Sequence, residues 1–570
     1  MITSLPDNAL ETLNWEWIRF APYYQELSDC PLNPEILPEW LADWSRVSEI
    51  VRETANRLYI ATTVDTNDQN AEEMYNFFLD EIYPQAESAE QRLRQKLLES
   101  GLKPSGFGLQ LRNMQAEADI YREENLPLLS QEFKLSTEYD KIIGAQTITW
   151  EEEEITLPQL QRVFQDPNRE KREKAWRLAA QRQLEDRSAI DELWVRFLNL
   201  RQKIFQNANF PDFRAYRWVN LLRFDYTPEN CLQFHDSIEK VVVPAAVRLY
   251  EKRRKNLNLG TLRPWDLNID PYNKPPLRPF SNVDELVNTT QRIFNRVDPE
   301  LGAYFAIMRS EGLLDLENRK GKAPGGYCES LPAVKRPFIF MNAVGIHDDV
   351  QTMIHEGGHA FHVFDTVHLP YLQQRDIGME IAEVASMGME LLAAPYLSRE
   401  TGGFYPPQDA ARARIEHLSD ALFFWPYMAV VDAFQHWVYL NHRTALDPAE
   451  CDRKWSELWG RFMPGVDWSG LDDEMETGWQ RKLHIHQVPF YYVEYGLAQL
   501  GAFQIWGNAI HNQAQAVADY RHMLSLGATA TLPELFNAAG AKFAFDESTL
   551  QSAVDLAEST ITDLEELVKG

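Results

Sequence analysis

The octapeptide HEGGHAFH, residues 355 to 362, sets two histidines four apart with a glutamate directly after the first. On a helix this spacing puts both imidazoles on one face, about 6 Å apart, suited to gripping a single ion. Glu356 then lies beside His359 and can reach a water on that ion without being a ligand, which is the mechanical content of the HExxH pattern. A helix that merely carried histidines would have no need of Gly357 and Gly358. Each glycine costs a helix interior ~1 kcal/mol relative to alanine, so the pair points to close approach by another helix or by substrate.

A catalytic zinc takes three protein ligands and keeps one position open. The third ligand is not the histidine of the longer HExxHxxGxxH pattern, which needs Gly at 362 and His at 365, where the chain has His362 and Asp365. A later carboxylate has to serve. RDIGMEIAEVASMGMELLAAPYL supplies Glu380, Glu383 and Glu390; Glu383 and Glu390 share a helical face and Glu380 lies at its edge. Chemistry alone leaves the three open. His362, seven residues beyond His355, is too far along the axis for the same ion and reads as a supporting residue.

The segment LHIHQVPFYYVEYGLAQLGAFQIW, residues 483–506, adds a second layer of chemistry. Tyr491 and Tyr495 are i, i+4 and Tyr492 and Tyr495 are i, i+3, so at least two hydroxyls can face one cleft. Donors placed where a carbonyl oxygen gains negative charge accelerate peptide hydrolysis. His484 and His486 both stand near enough to join them.

HEGGHAFH followed by EVAS resembles the thimet oligopeptidase and oligoendopeptidase F family of zinc metallopeptidases, whose pattern is HExGHxxH and then a glutamate closely followed by serine. The resemblance selects Glu383, 24 residues after His359, with Ser386 as the serine. It implies one zinc ion per chain held by His355, His359 and Glu383, with Glu356 as general base, and leaves Glu390 and His362 to support the ligands. It favours His484 over His486, because KLHI before PFYY fits the family spacing. GKAPGGYC (321–328) and RPFIFMN (336–342) resemble the family's edge-strand region, so substrate backbone is expected to pair with Phe338, Ile339, Phe340 and Met341. Residues from about 200 to 570 fit the family's catalytic region; the part before matches in helical character.

The elements that must position these groups read as mostly helical. Asp348 with Gln351 has capping-box spacing at the start of the HExxH helix. In LADWSRVSEIVRETANRLYI, Trp44, Val47, Ile50, Val51 and Leu58 recur at three- and four-residue steps, one buried helical face. Thr147–Trp150 and Ile155 flank Glu151–Glu154 as a short hairpin. In DPNREKREKAWRLAAQRQ, Asp166 reads as an N-cap with Pro167 at the first helical position. Its Arg169, Lys171, Arg172, Lys174 and Arg177 read as a solvated face. The prolines at 264, 271, 275, 276 and 279 exclude a helix and predict a long ordered loop. The expected architecture is mainly α: a large helical body with a deep substrate channel and a small sheet beside the HExxH helix. Residues 1–200 would form one wall or lid, and residues 201–570 the catalytic region.

Composition narrows the partners. Eighty-five acidic against 56 basic residues give a net charge of −29 over 570 residues, which disfavours nucleic acid and anionic membranes. No apolar run of eighteen residues exists, so no transmembrane helix is expected. The N-terminus lacks a basic segment followed by an apolar one, so no secretory signal is expected. Cys30, Cys231, Cys328 and Cys451 form no CxxC pair, which argues against a cysteine zinc knuckle or a disulfide framework and fits a cytoplasmic location. The expected protein is a zinc endopeptidase, monomeric or a small homo-oligomer, that cuts short unfolded oligopeptides through water activated by the metal and Glu356. The alternatives are a zinc carboxypeptidase or dipeptidyl carboxypeptidase on a similar helical body, as in angiotensin-converting enzyme, and a non-catalytic peptide-binding protein with structural zinc.

Overall fold

The computed structural model describes residues 5–66, 68–319, 321–323 and 325–569; Pro324 of the GKAPGGYC stretch and the first four residues lie outside them. Helices dominate, with two small sheets among the described residues. Helix α1 (Leu37–Val64) buries Trp44, Val47, Ile50, Val51 and Leu58, the face that the three- and four-residue spacing predicts. Strands β1 (Thr147–Trp150) and β2 (Glu153–Thr156) form the expected antiparallel hairpin. Its turn residues Glu151 and Glu152 take φ of 49° and 72°, the left-handed pair that a tight hairpin turn requires.

Two helix starts differ from the sequence reading. Asn168, not Asp166, caps the helix Arg169–Glu185: its side chain accepts from the backbone N–H groups of Glu170 and Lys171 at 3.0 and 3.2 Å. Asp166 instead accepts from the Asn168 N–H at 2.8 Å, holding the residue before the cap. The basic face is also not wholly solvated. Arg172 is buried, and with Arg169 it grips the buried Asp266 at 2.9 and 2.8 Å. A carboxylate at that depth needs paired cations, and the pair anchors the proline-rich segment around its single turn Pro264–Asp266.

The part of the chain that carries the HExxH helix is built from α2 (Pro228–Asn256), α3 (Val283–Val297), β3 (Leu314–Glu317), β4 (Tyr327–Leu331), β5 (Arg336–Ala343), α4 (His347–Thr366), α5 (Met379–Ala393), α6 (Pro407–Leu440), α7 (Tyr492–Leu526) and α8 (Glu547–Lys569). The sheet order is β3-β5-β4, with β3 parallel and β4 antiparallel to β5. Phe338, Ile339, Phe340 and Met341 therefore lie on the central strand and not on the edge. Ile339, Phe340 and Met341 are buried in succession, so both faces of β5 are covered, and its backbone is engaged on both sides. The edge is β4. Near its end α1 closes that edge: Asn56 Nδ2 donates to the Ser330 carbonyl and to Glu329 Oε1, each at 2.8 Å.

Helix α4 starts at His347, and Asp349, not Asp348, organises the start. Its Oδ2 accepts from the N–H groups of Val344, Gly345 and Ile346 at 2.9, 2.7 and 2.9 Å. Gly357 and Gly358 are explained by close approach. A Cβ at Gly357 would meet Phe294 of α3 at 2.5 Å, and one at Gly358 would meet the Ala385 carbonyl of α5 at 2.5 Å. The second contact brings α5 against α4 closely enough for their polar side chains to share one site.

Candidate metal centre

His355 and His359 project from one face of α4, their ring centroids 5.0 Å apart. Across from them, α5 presents Glu383, whose Oε2 lies 3.4 Å from His355 Nε2 and 3.9 Å from His359 Nε2. Tetrahedral zinc with bonds of ~2.0–2.2 Å sets its donors roughly 3.3–3.6 Å apart. The three residues offer donor atoms within 4.8 Å of one another, so nitrogen, nitrogen and carboxylate oxygen fit the ion. Ser386, one turn beyond, donates its hydroxyl to the Glu383 carbonyl and to Oε2, both at 3.1 Å.

The other two carboxylates are committed elsewhere. Glu380 accepts from the Tyr226 hydroxyl at 2.7 Å and lies 3.6 Å from Arg223, outside the donor set. Glu390 places Oε1 2.6 Å from His355 Nδ1 and Oε2 2.6 Å from His417 Nε2. A carboxylate on Nδ1 holds the proton there and leaves Nε2 bare towards an ion. His362 is buried one turn past His359, outside the donor set, and burial pushes its pKa down to about 3.

Glu356 is 6% exposed. Burial pushes its pKa up to about 7; His355 pulls it down, while Glu383 and Glu390 push it further up. A carboxyl group near neutrality can both accept and release a proton at working pH.

The tyrosines separate by partner. Tyr491 donates its hydroxyl to Glu383 Oε1 at 2.9 Å. Tyr492 is 4% exposed and packs on Phe424, Tyr427 and the Lys482 ammonium, which lies 4.4 Å from its ring. Tyr495 lies between them, its ring 5.2 Å from Tyr491 and 5.8 Å from His484. His484 touches all three tyrosine rings, whereas His486 is fully buried and stacks on Tyr139 at 4.6 Å, away from the donor set. Burial, with Lys482 beside it, lowers the His484 pKa to about 3, so the ring is neutral and carries one N–H.

Five supporting residues carry no signal in the sequence. Phe490 holds φ of 67°, a left-handed conformation unusual for a bulky residue. Its N–H donates to Gln435 Oε1 and its carbonyl accepts from Arg223, each at 2.6 Å. Arg223 also reaches Glu494 at 2.6 Å, so a buried guanidinium ties the start of α7 in place. His417 acts through Glu390. None of these residues belongs to a local pattern, and the partner of each stands far away in the chain.

An HExxH helix crossed by a helix that adds a carboxylate donor, inside a mainly helical body, defines a metallopeptidase type of centre. The chain belongs to peptidase family M3: the family pattern matches residues 163–554, and that of the M3 N-terminal domain matches residues 24–105. It is similar over 99% of both chains to a PZ peptidase A solved with an inhibitor, at 29% identity and a TM-score of 0.89. A solved putative oligoendopeptidase F is 28% identical, with 97% of this chain and 98% of that one covered and a TM-score of 0.90. The chromosomal oligoendopeptidase F of Lactococcus lactis subsp. cremoris is 24% identical over 349 residues, 57% of this chain. That match spans 53% of the relative's own length, about half.

Proposed function

We propose that the protein is a zinc endopeptidase that hydrolyses internal bonds of short, unfolded peptides. The observation that carries the reading is the convergence of His355, His359 and Glu383 beside the buried Glu356. Zinc held by the three donors would supply a Lewis acid for the peptide carbonyl and lower the pKa of water from 15.7 towards ~7. Glu356 takes a proton from the attacking water and passes it to the leaving amine. Tyr495 and His484 donate to the carbonyl oxygen as it gains charge. Glu390 fixes the His355 tautomer, and Tyr491 orients Glu383. A structural site would not need a base, so Glu356 counts against the non-catalytic reading.

β4 lies at an edge of its sheet, and its outer side towards Cys328 suits an extended peptide, because pairing with a strand edge recognises main chain more than side chains. Asn56 on α1 stops that pairing at Ser330, which makes residues 1–200 part of the wall of a channel. A folded substrate would have to unfold first, at ~5–15 kcal/mol. The carboxypeptidase reading gains one observation of its own: Lys482, pushed down to about 8 by burial, lies beside Tyr492 with no carboxylate within 4.0 Å among the described residues. An internally quenched peptide amidated at its C-terminus separates the two. Endopeptidase action predicts cleavage of that peptide and none of a native globular protein; failure to cut unless the C-terminus is free would overturn the proposal.

A further inference from the structure

Four side chains with metal-binding chemistry meet between α2 and α6, in the larger core and away from the HExxH helix. Cys231 and His235 are one turn apart on α2, and Asp432 and His436 are one turn apart on α6. His235 Nε2 lies 2.8 Å from Asp432 Oδ2, and His436 Nε2 lies 3.3 Å from the same oxygen. Donor atoms of Cys231, Asp432 and His436 all lie within 4.8 Å of one another. The residues are 0%, 1%, 0% and 3% exposed in the order Cys231, His235, Asp432, His436. Asp432 Oδ1 and His436 Nε2 are buried without a hydrogen bond of proper geometry. A core that leaves such atoms bare pays in stability unless something else satisfies them.

We propose that Cys231, Asp432 and His436 form a second zinc site, with His235 hydrogen-bonded to Asp432 beside it. Tetrahedral bonds of ~2.0–2.3 Å set neighbouring donors roughly 3.3–3.7 Å apart, and His436 Nε2 lies 3.3 Å from Asp432 Oδ2. Paired residues one turn apart on two facing helices are how bundles assemble metal sites in their cores. Sulfur and imidazole donors favour zinc over magnesium or calcium. The charges balance: the Cys231 thiolate and the Asp432 carboxylate neutralise the dication. Binding releases the thiol proton to solvent and leaves the His436 ring proton on Nδ1. Arg214, whose Nη1 lies 3.3 Å from His436 Nδ1, turns away as that nitrogen becomes a donor; it is only partly buried and free to do so.

All three donors are buried, so the site is structural rather than catalytic. Its work is mechanical. The His436 ring lies 5.2 Å from the ring of Phe490, so clamping α2 to α6 braces the strained turn that launches α7 and its tyrosines.

The test uses the full-length protein, stripped of metal and reloaded with cobalt(II), with metal counted per chain and absorption recorded. The wild type should take up two ions and show a thiolate-to-cobalt charge-transfer band, which the His, His, Glu centre cannot give. Glu383→Ala should lose one ion and keep the band. Cys231→Ser should lose the band, and Cys328→Ser, which removes a thiol that feels the Glu356 charge, should keep it. One ion and no thiolate band in the wild type, or a band that survives Cys231→Ser, overturns the proposal. If Cys231→Ser does not fold, the wild-type and Cys328→Ser spectra still decide it. The Glu383→Ala sample reads the second site independently of any peptidase activity.

Discussion

The Tyr491 hydroxyl donates to Oε1 of Glu383 across 2.9 Å, the carboxylate whose other oxygen faces the two histidines. Of the three tyrosines near His484, Tyr491 is thus the one that touches a proposed ligand. Tyr491→Phe should weaken zinc affinity by ~10–100-fold, measured by competition with a chromophoric chelator. Tyr495→Phe should leave affinity unchanged and lower kcat by ~10²–10³ with little change in KM. Equal metal affinity in the wild type and Tyr491→Phe would remove Tyr491 from the ligand's support.

The partners of the three glutamates on α5 predict three different phenotypes. Glu383→Ala should abolish tight zinc binding, and Glu390→Ala should weaken it by ~10–100-fold by freeing His355 Nδ1. Glu380→Ala should spare the metal and lower Tm instead, since it strips the partner from Tyr226 and one from the buried Arg223. Metal loss in Glu380→Ala with retention in Glu383→Ala would reassign the third ligand.

Gly358 is where α4 and α5 come closest. Gly358→Ala puts a methyl group 2.5 Å from the Ala385 carbonyl, a backbone atom that a rotamer change cannot move. Overpacking of this kind costs about 1–3 kcal/mol. Because the displacement separates Glu383 from the histidines, zinc affinity should fall as well. A stable variant with wild-type affinity would show that the helices can part without disturbing the donors.

His486 sits in a cage of Tyr139, Trp194 and Trp479, where burial, with Arg201 adding to it, lowers its pKa to about 3. The unfolded chain binds this proton below about pH 6.5, while the folded chain binds it only near pH 3. Its contribution to stability is therefore complete above pH 6.5 and is lost as pH falls from there towards 3. The loss by pH 5 is ~2 kcal/mol, at ~1.4 kcal/mol per pH unit. His486→Phe keeps the stacking and removes the proton, so the denaturation midpoint should fall less between pH 7 and pH 5 than in the wild type. Parallel profiles would mean that the ring is not held neutral.

Much of the site was legible because the relevant geometry is local. HExxH is a short-range pattern on one helix, and the two glycines announced a close crossing before its partner was known; Glu383 was singled out from Glu380 and Glu390 by the family resemblance and not by geometry. What could not be read depends on distant pairing. Phe338–Met341 reads as a strand, but its place between β3 and β4 is set by residues elsewhere, so the edge was assigned to the wrong strand. His235 and Asp432 meet from 197 positions apart, and neither has a local pattern that names the other. The caps were misplaced for a smaller reason: Asp166 and Asn168, like Asp348 and Asp349, are neighbouring residues able to cap, and only the loop path chooses between them.

The central claim is that Glu356 is the base beside a metal it does not hold. The most direct measurement is turnover of a C-terminally amidated quenched peptide by the wild type and Glu356→Gln, with zinc content determined on the same samples. Chelation should abolish wild-type turnover and added zinc should restore it. Glu356→Gln should carry as much zinc as the wild type and lose nearly all of kcat. Substantial turnover by zinc-loaded Glu356→Gln, or a wild type that cuts equally well after the metal has been removed, would contradict the account.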